Sequence, residues 1–504
     1  MDKLKSQNPI PVNLYLPLLW GTFLRFQGLA KQPLFVDEAF TADLILRNWS
    51  DMIRVAFQDV HPLLFYILSK PMLEFFPLTE WSLRLFPALC SVLVLALVTG
   101  VIRRYYNTTA GILAAWLLSW SSLHLYYAQD ARMYSLLNLL WIIAPWFLML
   151  ALKSEEIWAC FGWGVAVSGA IHTQFYGWVL WAVGFIWIFV FWQRLNKRML
   201  RWWWISQIGA LLTALPLLTV VVSTLSRGVG GTWIPSMLDP IRLWSLSLFG
   251  FTPERSRFLH GDLLSLYPWK SVPDGAFIIL AVLVSIPPVV KLMRANESKK
   301  HKVVLLTGVI FGSLPILSST LLWMIMKQPF WSYRPLIGAT TWCLIVFAMG
   351  WSSFKGTKWL WLALFMMNLG PIIALKSHWI KDYSEIAFNR WSDEVPSKTT
   401  MVLDRFYHST VFNFYAPSDV GSVYGIVPKG QVYELRQMVF DGTLRGQWYH
   451  ADCSDLAQSN VSLYDPAGRR FQEGDSWPPC LQDKGGWVFN PQTAHWERTE
   501  DLVP

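Results

Sequence analysis

Charged residues are scarce in this chain. Asp, Glu, Lys and Arg make up 15% of its 504 residues, whereas a soluble protein carries about 25%. Hydrophobic residues make up 54%, and there are 31 tryptophans, a residue that settles at membrane–water boundaries. The composition excludes an ordinary soluble protein and predicts a polytopic membrane protein. The net charge of +9 is spread over short loops, so it does not indicate a nucleic-acid partner.

A cleavable signal peptide is also missing. No small-residue cleavage site follows the apolar stretch from Leu14 to Trp20, so this stretch is predicted to be a retained first span. Runs long enough to cross a bilayer, about 17 to 25 residues, recur about eleven times. We place them near residues 12–30, 82–102, 108–126, 133–152, 157–172, 175–193, 203–225, 273–292, 303–326, 335–353 and 358–376.

The loops between these runs fall into two alternating classes. One class is short and basic, as in "RRYY", "QRLNKRMLR" and "KLMRANESKKHK", and the other contains "KQPLFVDEAF", "YYAQDAR" and "HTQFYG". Basic loops remain in the cytoplasm. The pattern therefore predicts a cytoplasmic N-terminus and an extracytoplasmic C-terminus.

Two segments depart from the pattern of spans and short loops. In residues 31–81, apolar residues recur at helical spacing with polar residues between them, which is typical of helices lying in the membrane interface. Residues 377–504 contain no spanning run; "TTMVLDRFYHSTVFNFYA" predicts a strand and a helix, and "GSVYGIV" a second strand. The predicted fold is an all-α polytopic membrane domain, residues 1–376, followed by a small extracytoplasmic α/β domain, residues 377–504.

The five cysteines divide between these two domains. Cys90, Cys160 and Cys343 lie in predicted spans and are expected to be packing thiols. Cys453 and Cys480 lie in the extracytoplasmic segment, where an oxidising compartment favours a disulfide. The alternative is a pair of free thiols.

The candidate functional groups lie in the loops predicted to face outward. They are Asp37, Glu38, His61, Asp130, Arg132, Tyr134, His172 and Arg334. Each has a structural alternative. These alternatives are a helix start at Asp37 and Glu38, a local ion pair between Asp130 and Arg132, a satisfied interfacial histidine at His61, a turn residue at His172, and a snorkelling boundary arginine at Arg334.

Together these groups suit one kind of chemistry. No nucleotide-sugar or ATP pool exists outside the cytoplasm, so a group-transfer enzyme there must take an activated donor from the lipid. A polyprenyl-phosphate sugar fits, because arginine stabilises a departing phosphate. A carboxylate serves as the base for an acceptor hydroxyl.

Several motifs carry a family resemblance. The "DE" pair after the first span, "HPLLFYIL" and "YYAQDARMYSLL" resemble the GT-C superfamily of polyprenyl-phosphate-sugar glycosyltransferases. The chain is most similar there to the protein O-mannosyltransferase group, glycosyltransferase family 39, and to the bacterial lipid A aminoarabinose transferase. "GGTWIP" and "FWSYRPLIGAT" resemble motifs of bacterial members. The resemblance covers about residues 12–376.

The resemblance implies roles for individual residues. Asp37 corresponds to the catalytic base with Glu38 beside it, Asp130 to the second acidic site, and Arg132 to a ligand of the donor phosphate. Many bacterial relatives have Glu where this chain has Asp130. Arg334 departs from the related pattern, since Tyr precedes it and Pro follows it. Some members hold a divalent metal between the two acidic sites and others do not, so a metal on Asp37 and Asp130 stays open.

The resulting hypothesis is an inverting glycosyltransferase of the cell envelope, in a bacterial inner membrane with its site on the periplasmic side. The acceptor hydroxyl would belong to a lipid, a glycan or a protein. The alternative is a transporter or flippase of a lipid-linked substrate. It is disfavoured because the predicted spans are nearly free of charge at their centres and show no internal repeat. A third reading, a scaffold whose soluble domain binds a partner, leaves the outward carboxylates without a role.

Overall fold

The computed structural model describes both the helical part of the chain and a β-sheet. The described residues are 12–31, 34–57, 61–218, 220, 238–250, 274–294, 298–326, 334–354 and 357–377, together with seven strands. The chain forms two compact units. The first comprises Met1–Leu29, Ile53–Phe76 and Trp81–Trp379, and the second Ala30–Met52, Pro77–Glu80 and Ile380–Pro504. The second unit thus includes residues 30–52, which the predicted division at residue 376 assigns to the membrane domain.

The described helices follow the chain in this order: α1 Tyr15–Phe26, α2 Val36–Leu46, α3 Trp49–Ala56, α4 Leu64–Ser69, α5 Met72–Phe75, α6 Glu80–Tyr105, α7 Thr108–Trp120, α8 Ser122–Ala128, α9 Tyr134–Ser154, α10 Ile157–Thr173, α11 Gly177–Phe191, α12 Lys197–Ala214, α13 Asp239–Phe249, α14 Asp274–Arg294, α15 Lys299–Met326, α16 Ile337–Trp351 and α17 Thr357–Ser377. Short 3₁₀ turns precede α1 and follow α11.

Each predicted span overlaps at least one helix. Among the described residues, four segments are long and apolar enough to cross a membrane: Glu80–Tyr105, Tyr134–Ser154, Gly177–Arg194 and Lys300–Leu322. Four shorter apolar helices accompany them: Thr108–Trp120, Ile157–Thr173, Ile337–Trp351 and Trp359–Ile373. The chain is an integral membrane protein. Helices α2 to α5 lie within residues 31–81.

The third predicted span, residues 108–126, is wrong as a single helix. The α-helix ends at Trp120, Ser121 takes a non-helical ψ of 113°, and α8 begins at Ser122. The Ser121 hydroxyl donates to the carbonyl of Ser247 in α13, at 3.0 Å. A polar contact with a neighbouring helix therefore accompanies the break in an otherwise apolar run.

Several tryptophans lie in the interior of the helical part. The sequence had suggested that this residue is abundant because it settles at membrane–water boundaries. Trp141, Trp187 and Trp342 are fully buried. Trp141 Nε1 donates to the carbonyl of Phe311 at 3.1 Å, Trp342 Nε1 to that of Trp141 at 3.1 Å, and Trp187 Nε1 to the hydroxyl of Thr307 at 2.8 Å. Because each indole N–H has an acceptor, these large rings pack α9, α11, α15 and α16 together without a desolvation penalty.

The described part of residues 377–504 is a seven-stranded sheet. Its strands are β1 Thr400–Leu403, β2 Val423–Lys429, β3 Val432–Val439, β4 Gln447–His450, β5 Val461–Tyr464, β6 Gly486–Asn490 and β7 His495–Arg498. They lie in the order β4-β3-β2-β1-β5-β6-β7. The pairs β1–β2, β1–β5 and β5–β6 are parallel, and the others are antiparallel.

Strands thus occur in both segments for which the sequence predicts them. The predicted helix after β1 lies outside the described residues. So do Cys453 and Cys480, whose disulfide stays a prediction. Cys90, Cys160 and Cys343 are free thiols in α6, α10 and α16, as predicted.

Candidate functional site

The Asp-Glu pair occupies the first turn of α2, and its two carboxylates differ in environment. Glu38 is fully buried, and its Oε2 atom accepts a hydrogen bond from the backbone N–H of Phe35 at 3.4 Å. This bond satisfies one of the N–H groups left over at a helix start. Asp37 is only half-buried. Glu38 therefore has a contact that stabilises the helix start, and Asp37 is the more exposed of the two carboxylates. A catalytic role for either residue stays a prediction.

A third carboxylate of α2 was not among the predicted groups. Asp43 is fully buried and forms a salt bridge with Arg47, whose NH2 nitrogen lies 3.0 Å from Asp43 Oδ2. The four-residue spacing between an acid and a base on one helix is the available sequence signal. The buried carboxylate of Asp43 is therefore paired with a guanidinium one helical turn away.

Asp130 and Arg132 lie in the turn between α8 and α9. Both side chains are buried, with exposed fractions of 2% and 3%. The backbone N–H of Arg132 donates to the carbonyl of Asp130 at 2.7 Å, which makes the turn tight. The NH1 nitrogen of Arg132 donates to the hydroxyl of Tyr66 in α4 at 3.4 Å. The guanidinium is therefore oriented by a group 66 residues away in sequence.

The turn is also attached to the end of the first helix. The Nε2 atom of Gln129 donates to the carbonyls of Arg25 and Gln27, at 3.0 and 2.9 Å. The guanidinium of Arg84 donates to the carbonyl of Leu29 at 2.8 Å. These bonds satisfy carbonyls that an ending helix leaves without partners. Sequence reasoning did not select Gln129, although it stands directly before Asp130.

Aromatic rings line the same turn. Tyr127 and Tyr134 are buried, and their ring centroids lie 5.1 Å apart. The Ser135 hydroxyl donates to the carbonyl of Tyr127 at 2.7 Å. Tyr134 is the first residue of α9. It therefore packs the turn against the start of that helix.

A lysine stands directly after helix α4, the helix that contains Tyr66. Lys70 follows the helix, and its backbone N–H donates to the carbonyl of Tyr66 at 2.9 Å. Burial lowers the pKa of the Lys70 ammonium, and the carboxylate of Glu74 partly offsets this effect. His61 precedes Pro62 and this helix and is half-buried.

His172 and Arg334 occupy separate places. His172 lies in the last turn of α10, with Nδ1 2.9 Å from the carbonyl oxygen of Ser168 and Nε2 3.0 Å from that of Thr213 in α12. These contacts connect two helices. His172 therefore lies in a helix and not in the turn that the structural alternative for this residue supposes. Arg334 is half-buried in the turn that leads into α16.

The predicted site is thus distributed over both units. His61, Asp130, Arg132, Tyr134, His172 and Arg334 belong to the first unit, and Asp37 and Glu38 to the second. That Asp37 and Asp130 line one cavity stays a prediction. Within the described residues, no three His, Cys, Asp or Glu side chains form a cluster suited to a metal ion.

Two buried ionisable residues in the helices were not among the predicted functional groups. Arg25 in α1 is 1% exposed, and its guanidinium donates to the Ser91 hydroxyl at 2.7 Å, the Gly21 carbonyl at 2.9 Å and the Leu118 carbonyl at 3.0 Å. His124 in α8 is 2% exposed. An ionisable residue inside a hydrophobic run is itself the signal that identifies such groups.

One family matches part of the chain. Residues 60–222 match the sequence model of the dolichyl-phosphate-mannose-protein mannosyltransferase family. The matched range includes His61, Tyr66, Asp130 and Arg132, and it does not include Asp37. It confirms the resemblance to GT-C glycosyltransferases that the motifs indicate. No curated protein matches the chain in sequence.

Three solved structures match the chain at low sequence identity. ArnT from Cupriavidus metallidurans bound to undecaprenyl phosphate matches with a TM-score of 0.48 at 13% identity, over 81% of this chain and 84% of that one. The Archaeoglobus fulgidus oligosaccharyltransferase in the apo form gives 0.47 at 11% identity, over 80% and 63%. The AglB oligosaccharyltransferase of the same organism, in complex with an inhibitory peptide and a dolichol-phosphate, gives 0.42 at 12% identity, over 80% and 63%.

Proposed function

We propose that this chain, which matches the dolichyl-phosphate-mannose-protein mannosyltransferase family over residues 60–222, is an inverting glycosyltransferase. It would move a sugar from a polyprenyl-phosphate donor to a hydroxyl acceptor. The observation that carries the proposal is the turn at residues 129–132. This turn lies inside the matched range and holds a buried carboxylate and a buried guanidinium two residues apart.

Arg132 has the properties required of a phosphate ligand. A guanidinium presents five N–H donors in a planar fork that matches phosphate oxygens. Its bond to Tyr66 fixes the orientation of this fork before the donor arrives. Burial strengthens its attraction for a phosphate, since little water screens the charge. Arg132 therefore holds the phosphate that departs from the sugar, and Arg334 is the second candidate for this role.

Asp37 is the proposed base. It takes the proton of the acceptor hydroxyl while the hydroxyl oxygen forms a bond to the anomeric carbon of the sugar. The bond from that carbon to the phosphate oxygen breaks, and its electron pair leaves with the polyprenyl phosphate. Attack opposite to the leaving group inverts the anomeric configuration. Glu38 supports this arrangement by completing the start of α2, and Asp130 supplies the second negative charge.

The remaining parts of the proposal follow from the loop charges and the family resemblance. The donor is a lipid-linked sugar of the membrane, and the acceptor is a lipid, a glycan or a protein. The active site and residues 377–504 lie on the periplasmic side of a bacterial inner membrane. His61, Tyr134 and His172 are the remaining candidates for substrate contact on that side.

The experiment measures transfer of radiolabelled sugar from a panel of polyprenyl-phosphate sugars in membranes containing native protein or Asp37→Asn. Loss of a general base lowers rates by about 10²–10⁴-fold, so the variant should be nearly inactive at equal abundance. Asp51→Asn is the matched control, because Asp51 is an acid of the neighbouring helix α3 that contacts Asn48. It should transfer like the native protein. Transfer by Asp37→Asn at the native rate would contradict the proposal.

One observation favours the transporter alternative. Arg25 and His124 are ionisable groups buried in helices, as transporters have. However, both side chains already form hydrogen bonds with protein groups. A transporter would move a lipid-linked sugar across vesicles without changing its mass, whereas a transferase releases the polyprenyl phosphate. Mass analysis of the recovered lipid therefore separates the two functions.

A further inference from the structure

Three helix ends that are distant in sequence converge on a pair of tyrosines. Tyr105 and Tyr106 stand at the end of α6. The ammonium of Lys153, in the last turn of α9, lies over the Tyr105 ring, 5.4 Å from its centroid. The ring of His301, in the first turn of α15, lies 4.5 Å from that of Tyr106. All of these residues belong to the first unit.

Positive charge accumulates at this convergence. Arg104, Lys153 and Lys300 are exposed, and the charges of Arg104 and Lys153 act on Lys300. None of the three forms an ion pair with a carboxylate of the described residues. The adjacent Glu155 accepts a hydrogen bond from Asn196 Nδ2 at 2.9 Å. Like charges held together in this way favour an anion that would neutralise them.

A buried donor accompanies these cations. Tyr105 is 3% exposed, and its hydroxyl has no hydrogen-bond partner among the described residues. A buried O–H without an acceptor is costly, and native structures rarely keep one. A neutral acceptor would satisfy the hydroxyl alone. An oxyanion would satisfy the hydroxyl and the surrounding cations together.

We propose that the Tyr105 hydroxyl, Arg104, Lys153 and Lys300 bind the phosphate of an anionic phospholipid. Tyr105 is the last residue of the candidate span Glu80–Tyr105, which places the site at the level of lipid head groups. The basic loops predict that this side is cytoplasmic. Anionic lipids of that leaflet bind basic pockets between helices. The site is separate from the residues proposed for glycosyl transfer.

The test uses the full-length protein in neutral detergent. Its unfolding midpoint is measured while phosphatidylglycerol, phosphatidylcholine or inorganic phosphate is added. A ligand that binds the folded state raises the midpoint with concentration. We expect phosphatidylglycerol to stabilise the native protein more than phosphatidylcholine does, and inorganic phosphate to have little effect. Tyr105→Phe removes only the hydroxyl and should weaken the apparent affinity for phosphatidylglycerol about tenfold.

Charge-matched variants provide the second comparison. Lys153→Gln with Lys300→Gln should abolish the preference for phosphatidylglycerol. The control variant, Lys197→Gln with Arg198→Gln, removes the same charge from exposed positions at the start of α12. It should keep the preference for phosphatidylglycerol. Equal losses in both double variants would show a bulk charge effect and overturn the proposal. So would an unchanged response in Tyr105→Phe, or stabilisation by inorganic phosphate equal to that by the lipid.

Discussion

The Nε2 atom of His124 and the hydroxyl oxygen of Thr341 lie 2.9 Å apart, although 217 residues separate them. The contact joins α8 to α16 inside the first unit. The Thr341 hydroxyl oxygen also lies 2.9 Å from Asn138 Oδ1 and 3.0 Å from the carbonyl oxygen of Ile337. These polar contacts connect α8, α9 and α16.

Replacing His124 by Leu should destabilise the protein. The change removes the contacts of Nε2 with the Thr341 hydroxyl and of Nδ1 with the Ser121 hydroxyl, 2.9 and 3.0 Å away. Loss of buried hydrogen-bond partners costs about 1–3 kcal/mol, which lowers the unfolding midpoint in detergent. Thr341→Ser retains the hydroxyl and should lie much closer to the native midpoint than Thr341→Val. Equal midpoints for native protein and His124→Leu would show that the contact is dispensable.

The apolar helices were predictable because length and apolar composition are local properties of a sequence. The break at Ser121 was not, because it depends on the carbonyl of Ser247 in another helix. Helix α13 was also missed, although local signals exist. It begins with Asp239 followed by Pro240 and ends at Gly250, which has a φ of 71°. Such start and stop residues are informative, but they stand between long segments that carry stronger hydrophobic signals.

The site was predictable in outline only. The sequence identifies Asp130 and Arg132 as candidate functional residues. The structure shows that both are buried in one tight turn. The roles within each group depend on tertiary contacts. Nothing local distinguishes Glu38, which completes a helix start, from its neighbour Asp37. Likewise, only the position of α4 identifies Tyr66 as the group that orients Arg132.

Gly250 should not tolerate alanine. Its φ of 71° is left-handed, and an added Cβ would meet the hydroxyl oxygen of Ser122 and lie 2.9 Å from Cβ of Pro371. Strain and overpacking together should cost at least about 2 kcal/mol. Gly100→Ala and Gly209→Ala are the matched controls. Both stand in helices with nothing within 4 Å of the added atom, so they should stabilise by about 0.5–1 kcal/mol. Unfolding midpoints that rank Gly250→Ala with the controls would contradict this account.

Thiol counting tests the predicted disulfide. The chain has five cysteines, and the three in helices are free. We expect alkylation of the denatured, unreduced protein to add three labels and alkylation after reduction to add five, as measured by mass spectrometry. Peptide mapping should find the two additional labels on Cys453 and Cys480. Five labels without reductant would show that these residues are thiols.

The contact between Tyr66 and Arg132 provides the sharpest test of the proposed mechanism. Tyr66→Phe keeps the buried ring but removes the acceptor at 3.4 Å from the guanidinium. If Tyr66 only positions Arg132, transfer should fall by about tenfold, because one neutral hydrogen-bond partner is lost. Arg132→Lys keeps the charge but loses the planar fork. The transfer rate of this variant should fall by about 10²-fold or more.

Measuring kcat and KM separately distinguishes a positioning role of Tyr66 from a purely structural one. Arg132 is proposed to act on the phosphate as it departs, so both variants should lower kcat more than they raise KM for the lipid-linked donor. The double variant should be no slower than Arg132→Lys alone, because the Tyr66 hydroxyl acts through the guanidinium. Multiplicative losses in the double variant would instead give Tyr66 a separate role, and Arg132 would have to be oriented by other contacts of the 129–132 turn.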